Sequence, residues 1–161
     1  MTNRLSENKD YGGLYMRQDL EERFIDGQFK FMDEDFEGCI AVFTDVLEAD
    51  PQCAKVYQAR AIACLRLNDT DAAIKDIDAA IKCEPENARL YYHKGSILFK
   101  AELWNEALKC LTQAIDLSPA YAPAYALRSE VYERLGDKDA AGLDINNAMV
   151  LRKESTNLVD F

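Results

Sequence analysis

The sequence holds a single histidine, His93, and a single tryptophan among its 161 residues. Catalysis needs complementary groups brought together, a nucleophile beside a base or two carboxylates of separated pKa, and no such set stands out. There is no G-x-G-x-x-G, no G-x-x-x-x-G-K-[ST], no H-E-x-x-H and no EF-hand loop. The acidic run Asp33-Glu34-Asp35-Phe36-Glu37 has the charge of a calcium loop without its glycine or spacing, and reads as a turn and a helix start. The expectation is a protein that is not an enzyme and takes no cofactor and no metal. The five cysteines are odd in number and form no C-x-x-C pair, which argues against a disulfide framework or zinc site and for reduced, mostly buried thiols. No apolar run approaches the roughly 18 residues of a bilayer span, and Met1 to Asp10 lacks the apolar core of a secretory signal. No membrane insertion and a cytoplasmic location are expected. Nucleic acid is excluded as a partner by charge: 19 Lys and Arg against 29 Asp and Glu leave a net charge of -10, which repels a phosphate backbone.

What the sequence does have is a period. Pro51, Pro85 and Pro119 stand 34 residues apart, each behind a helix-capping candidate, Asp50, Glu84 or Ser118. Proline there stops the preceding helix and suits the first turn of the next. With the prolines as frame the chain divides into four copies, 20–53, 54–87, 88–121 and 122–155. Place 8 of each copy holds Gly27, Ala61, Gly95 and Ser129; place 20 holds Cys39, Ala73, Ala107 and Ala141. Small residues at two fixed places are what a close helical hairpin demands. Bulk recurs at place 24, as Phe43, Ile77, Leu111 and Ile145, and at place 28, as Leu47, Ile81, Ile115 and Met149. Place 27 between them is Val46, Ala80, Ala114 and Ala148.

This pattern resembles the tetratricopeptide repeat family over residues 20–155. Tyr91-Tyr92-His93-Lys94-Gly95 looks like a variant of that family's first helix, echoed at Tyr57 to Ala61 and Tyr125 to Ser129. The resemblance implies an all-α fold, a right-handed α-α superhelical solenoid of antiparallel helix pairs with about eight helices in four repeats. The end repeats depart from the pattern, with Arg23 for the usual aromatic, Asp26 where the other repeats carry Arg or Lys, and Lys153 for the closing proline. Terminal repeats have one face without a neighbour. Arg60 and Arg128 at place 7 accompany Asp76 and Asp144 at place 23, which predicts two structural ion pairs; the third repeat sets Lys94 against Cys110. Residues 1–19 form an extension that is partly helical near its end, with Gly12-Gly13 as a break and a helix beginning near Leu14. Residues 156–161 form a short tail, and Leu158 to Phe161 are expected to cover the last helix.

In the family the first helix of each hairpin lines a concave groove, and places 2, 5, 9, 12 and 13 face ligands. The resemblance therefore implies a groove built from Phe24, Gln28, Phe31, Lys55, Gln58, Ile62, Arg66, Arg89, Tyr92, His93, Ser96 and Lys100. Phe24, Phe31, Ile62, Leu65, Tyr92 and Phe99 form an apolar track along repeats one to three, with Phe31, Leu65 and Phe99 equally suited to packing between repeats. Lys55, Arg66, Arg89 and Lys100 make that stretch locally basic in an acidic chain, which suits an acidic partner segment with apolar anchors. His93 reads as a polar groove residue. The carboxylate clamp of heat-shock co-chaperones is not expected. Its places fall on Phe24, Gln28, Ala59, Arg89 and His93, of which Arg89 alone matches. The implied function is a protein-interaction scaffold or adaptor that holds a partner's peptide or extended segment. Two other readings stand beside it: a dedicated secretion chaperone, and a structural module that self-associates as a homo-oligomer through an open end or the concave face.

Overall fold

The computed structural model describes the backbone of residues 8–157 and the side chains of residues 18–154. Eight helices follow one another among the described residues: α1 Asn8–Met32, α2 Phe36–Ala49, α3 Ala54–Arg66, α4 Thr70–Cys83, α5 Ala88–Lys100, α6 Trp104–Leu117, α7 Ala122–Leu135 and α8 Lys138–Asn157. Each packs on its neighbours in sequence, α1 on α2 through α7 on α8, with a further contact of α5 with α7. This is an all-α solenoid of helical hairpins. Two boundaries differ from expectation. α1 begins at Asn8, before Leu14, and runs through Gly12-Gly13 without a break. Propagating an existing helix adds a hydrogen bond per residue, against a cost of about 1 kcal/mol for each glycine. Pro51, Pro85 and Pro119 lie in the turns and not in the next helix's first turn; Asp50, Glu84 and Ser118 are C-caps of the helices before them. The Leu158 to Phe161 segment lies outside the described residues.

The hairpin turn is the same four times. Place 15 takes positive φ at Glu34, Asn68, Glu102 and Gly136, so only the fourth repeat uses the residue that adopts this conformation without strain. The next N–H, of Asp35, Asp69, Leu103 or Asp137, reaches back 2.9 Å to the carbonyl of Lys30, Cys64, Leu98 or Tyr132. The three aspartates then cap the second helix, each accepting the backbone N–H three residues on at 3.0 Å; Leu103 cannot.

Small residues set the hairpin spacing. A Cβ on Gly27 would strike the Phe43 ring, and one on Gly95 would come within 2.8 Å of Leu111 Cγ. Ser129 resolves the same problem with a hydrogen bond, its Oγ donating to the Ala141 carbonyl at 2.9 Å. Polar joints tie hairpin to hairpin. Arg60 donates from Nε and Nη2 to the two Asp76 oxygens at 2.9 and 2.7 Å, and from Nη1 to Thr44 Oγ1 of the preceding repeat at 2.9 Å. Arg128 repeats this with Asp144 at 2.7 and 2.9 Å and Thr112 at 3.2 Å. In the third repeat Lys94 does not turn to Cys110. It donates to Asp78 of the preceding repeat at 2.6 Å, the residue at the place that Thr44 and Thr112 occupy. The carboxylate has changed sides because place 23 there is a thiol, a weak acceptor.

Candidate functional site

The first helices of the hairpins, α1, α3, α5 and α7, present their ligand-side places to a series of clefts. Gln58, Ile62 and Arg66 from α3 and His93, Ser96 and Lys100 from α5 line one cleft of about 300 Å³, floored by Leu65, Ile77 and Ile97. Six of the twelve expected groove residues are thereby brought together. The spacing of four along α3 puts Gln58, Ile62 and Arg66 on one stripe. No carboxylate lines this cleft, and its two cations stand at one end. Arg66 lies over the Phe31 ring at 5.7 Å, which keeps its guanidinium along the wall. His93 Nε2 is buried with no hydrogen-bond partner among the described residues. Burial, aided by the Arg89 charge, pushes the His93 pKa below its usual value, so the ring is neutral at pH 7.

A second cleft of about 360 Å³ adjoins the first at Ile62, which lines both. Gln28 and Phe31 belong to it, together with Ile25, Phe29, Met32, Phe43 and Ala59, so its wall is almost wholly apolar. Ile25 and Phe29 stand at places 6 and 10, outside the expected set. Those places face the preceding hairpin in every later repeat, and among the described residues no hairpin precedes α1.

The remaining expected residues are placed differently. Phe24 is a correction: it is buried in the first core cluster, its ring stacked on Phe43 at 5.4 Å with Lys55 Nζ 4.1 Å from the ring centre. Phe43 is the largest side chain at place 24 and lies against Gly27, and its ring offers Phe24 an apolar face to stack on. Lys55 and Phe24 border a separate recess with Leu20 and Val56. Tyr92 is half-buried, edge-on to Tyr121 at 5.4 Å and to His93 at 5.5 Å. Arg89 is exposed beside them and counters the rise that burial imposes on the Tyr121 phenol. Phe31 packs edge-on against Phe36, and Phe99 against Trp104, so both serve packing while keeping an edge accessible. Among the described residues no group of three His, Cys, Asp or Glu side chains converges as a metal would require. No described helix is long and apolar enough to cross a membrane.

Comparison with known proteins agrees with this architecture. The tetratricopeptide repeat model matches residues 33–88, 58–104 and 92–156. A rice (Oryza sativa subsp. japonica) SGT1 homologue is 28% identical over 120 residues, 74% of this chain and 32% of that protein. The Hsp70-Hsp90 organizing protein 1 of Glycine max is 31% identical over 105 residues, 64% of this chain and 17% of its own. The chain thus spans about a third or less of the curated relatives it matches. Among solved structures, MamA superposes with a TM-score of 0.72 at 26% identity, covering 79% of this chain and 74% of MamA. The first repeat domain of Spaghetti (RPAP3), solved with the HSP90 peptide SRMEEVD, gives a TM-score of 0.68 at 22% identity over 74% of this chain and 94% of its own. With the repeat model matched over most of its length and the helical hairpins in place, this chain belongs to the tetratricopeptide repeat family.

Proposed function

We propose that this protein is a non-catalytic scaffold whose groove holds an extended, acidic segment of a partner protein, with an apolar anchor beside the acidic group. The observation that carries this is the pair of joined clefts, one apolar at Phe31, Met32 and Ile62, the other bearing Arg66 and Lys100 with no lining carboxylate. Burying one aliphatic or aromatic anchor contributes roughly 1.5 to 3 kcal/mol. The two cations supply orientation and a faster encounter. Binding in the micromolar range, about -8 kcal/mol, is expected, because ordering the peptide offsets much of the contact energy. Arg89 and Tyr92, on the same helix as His93, extend this surface, while Lys55 borders the recess beside Phe24. Five thiols, all free, suit a reducing cytoplasmic compartment.

The test is selection of peptides from a random displayed library, followed by anisotropy titration of the winners. The reading expects Asp or Glu next to an aliphatic or aromatic residue, and a loss of about tenfold or more in affinity for Arg66→Glu with Lys100→Glu. Winners without acidic residues, or winners indifferent to that double change, overturn it. The heat-shock peptide SRMEEVD is a separate probe. Four of the five clamp places, Phe24, Gln28, Ala59 and His93, carry the wrong groups, so the peptide is expected to bind no better than a scrambled control. Tight binding that vanishes in Arg89→Ala would show that a clamp exists.

A further inference from the structure

The three internal joints of the stack are made by one set of places. On the second helix of a repeat, places 24, 27 and 28 face forward; on the first helix of the next repeat, places 3, 6 and 10 face back. Phe43, Val46 and Leu47 thus meet Val56, Ala59 and Ala63. Ile77 meets Ile97, and Ala80 with Ile81 meets Leu90. Leu111 meets Leu127 and Val131, and Ala114 with Ile115 meets Ala124. Among the described residues places 6 and 10 of repeat one and places 24 and 28 of repeat four have no such partner; place 27 of repeat four, Ala148, is buried within its own hairpin, and place 3 of repeat one is Glu22. Ile25 and Phe29, places 6 and 10 of repeat one, are 49% and 59% exposed. Ile145 and Met149, places 24 and 28 of repeat four, are 37% and 56% exposed.

We propose that these two faces join head to tail between copies, Ile25 and Phe29 of one chain docking on Ile145 and Met149 of the next, so that the solenoid continues from chain to chain. A second copy is the occupant because one chain displays, at places 6 and 10 and at places 24 and 28, the two sides of a contact it already makes at its internal joints. The clefts say the same. At Ile77 the cleft is closed on its far side by His93 and Ile97, places 6 and 10 of the following repeat, and measures about 300 Å³. Its counterpart at Ile145 lacks that wall and measures about 680 Å³. Gly142 opens it further. The same place in the other repeats holds Ile40, Ile74 or Leu108, whereas a Cβ on Gly142 would meet open space. At the opposite end Phe29 is larger than its equivalents Ala63, Ile97 and Val131. The polar ladder is also matched, with donor and acceptor exchanged: Asp26 stands where Arg60, Lys94 and Arg128 do, and Asn146 stands where Thr44, Asp78 and Thr112 do. A side-chain amide can donate to that carboxylate. The joint is heterologous, so it propagates instead of closing at a dimer.

Sedimentation velocity of the full chain over a concentration series tests this. The average mass should climb from 18.2 kDa past that of two chains, and climb further in high salt, because a net charge of -10 opposes association. Phe29→Glu and Met149→Glu should each sediment as one chain. Both positions are more than half exposed, so the helical circular dichroism of either variant should match the parent. An equimolar mixture of the two retains one intact joint and should form a two-chain complex that grows no further. A one-chain mass for the parent at every concentration, whether from a covering terminal segment or a different partner, overturns the proposal. So does a Met149→Glu variant that dimerises alone, since that outcome means pairing between like faces.

Discussion

Replacing Asp76 with alanine leaves the Arg60 guanidinium between α3 and α4 with one hydrogen bond, to Thr44, in place of three. Removing one partner of a fully buried ion pair costs roughly 3 to 5 kcal/mol. The Asp76 side chain is 9% exposed but that of Arg60 is 20% exposed, so water can reach part of the stranded charge. The expected loss is therefore about 2 kcal/mol. The corresponding change in the third repeat is a control: Asp78 is 42% exposed and makes a single contact with Lys94, so Asp78→Ala should cost only about 0.5 kcal/mol and lose that in high salt. Urea unfolding followed by circular dichroism gives both numbers. Native-state hydrogen exchange should place the Asp76→Ala loss in α3 and α4, because a solenoid transmits strain only to its neighbours. Exchanging the pair for apolar groups, Arg60→Met with Asp76→Leu, should recover most of the stability, since neither charge is then stranded. An Asp76→Ala loss below about 0.5 kcal/mol, or an equal loss at Asp78, would refute the view that burial separates the two joints.

Leu103→Asp should stabilise the protein by about 1 kcal/mol in the same assay, because it supplies the cap that Asp35, Asp69 and Asp137 give their helices and removes only an exposed leucine. His93 should make stability pH-dependent: its folded pKa lies below the ordinary value of 6.5. As pH falls through 6.5 the unfolded chain takes up a proton that the folded ring still refuses, so stability declines down to the folded pKa. A His93→Gln variant should lose less stability than the parent between pH 7.5 and about 5, and the single imidazole can be titrated directly by proton NMR. A parent midpoint above 6.5 would contradict the assignment.

The fold was legible because each architectural place recurs. One glycine is ambiguous, but Gly27, Ala61, Gly95 and Ser129 at one spacing identify a close approach, and the paired arginines at place 7 point to their aspartates. Of the residues proposed for the groove, Gln58, Ile62, Arg66, His93, Ser96 and Lys100 share a cleft, as their common stripe on successive first helices requires. Two misses have physical causes. The place of Phe24 in the helix points to the groove, but the Phe43 ring beside Gly27 gives it a stacking partner in the core, which a place-by-place comparison does not reveal. Ile25 and Phe29 are not legible from the repeat, because their places are half-buried at Ala59, His93 and Leu127 and fully buried at Ala63, Ile97 and Val131, where a hairpin precedes.

The same division explains why His93 is the most informative residue of the groove. Place 6 belongs to the joint as well as to the cleft, and its other occupants are Ile25, Ala59 and Leu127, all apolar. An apolar residue there would serve stability at no cost to the stack. Histidine instead puts a polar nitrogen out of water with no partner among the described residues, a loss of about 1 to 3 kcal/mol that packing does not return. Arg66 and Lys100 border the same cleft and the imidazole lines it, so a carboxylate held by those two cations would lie beside the neutral ring and raise its pKa, which makes His93 a reporter of the acidic segment proposed for the groove.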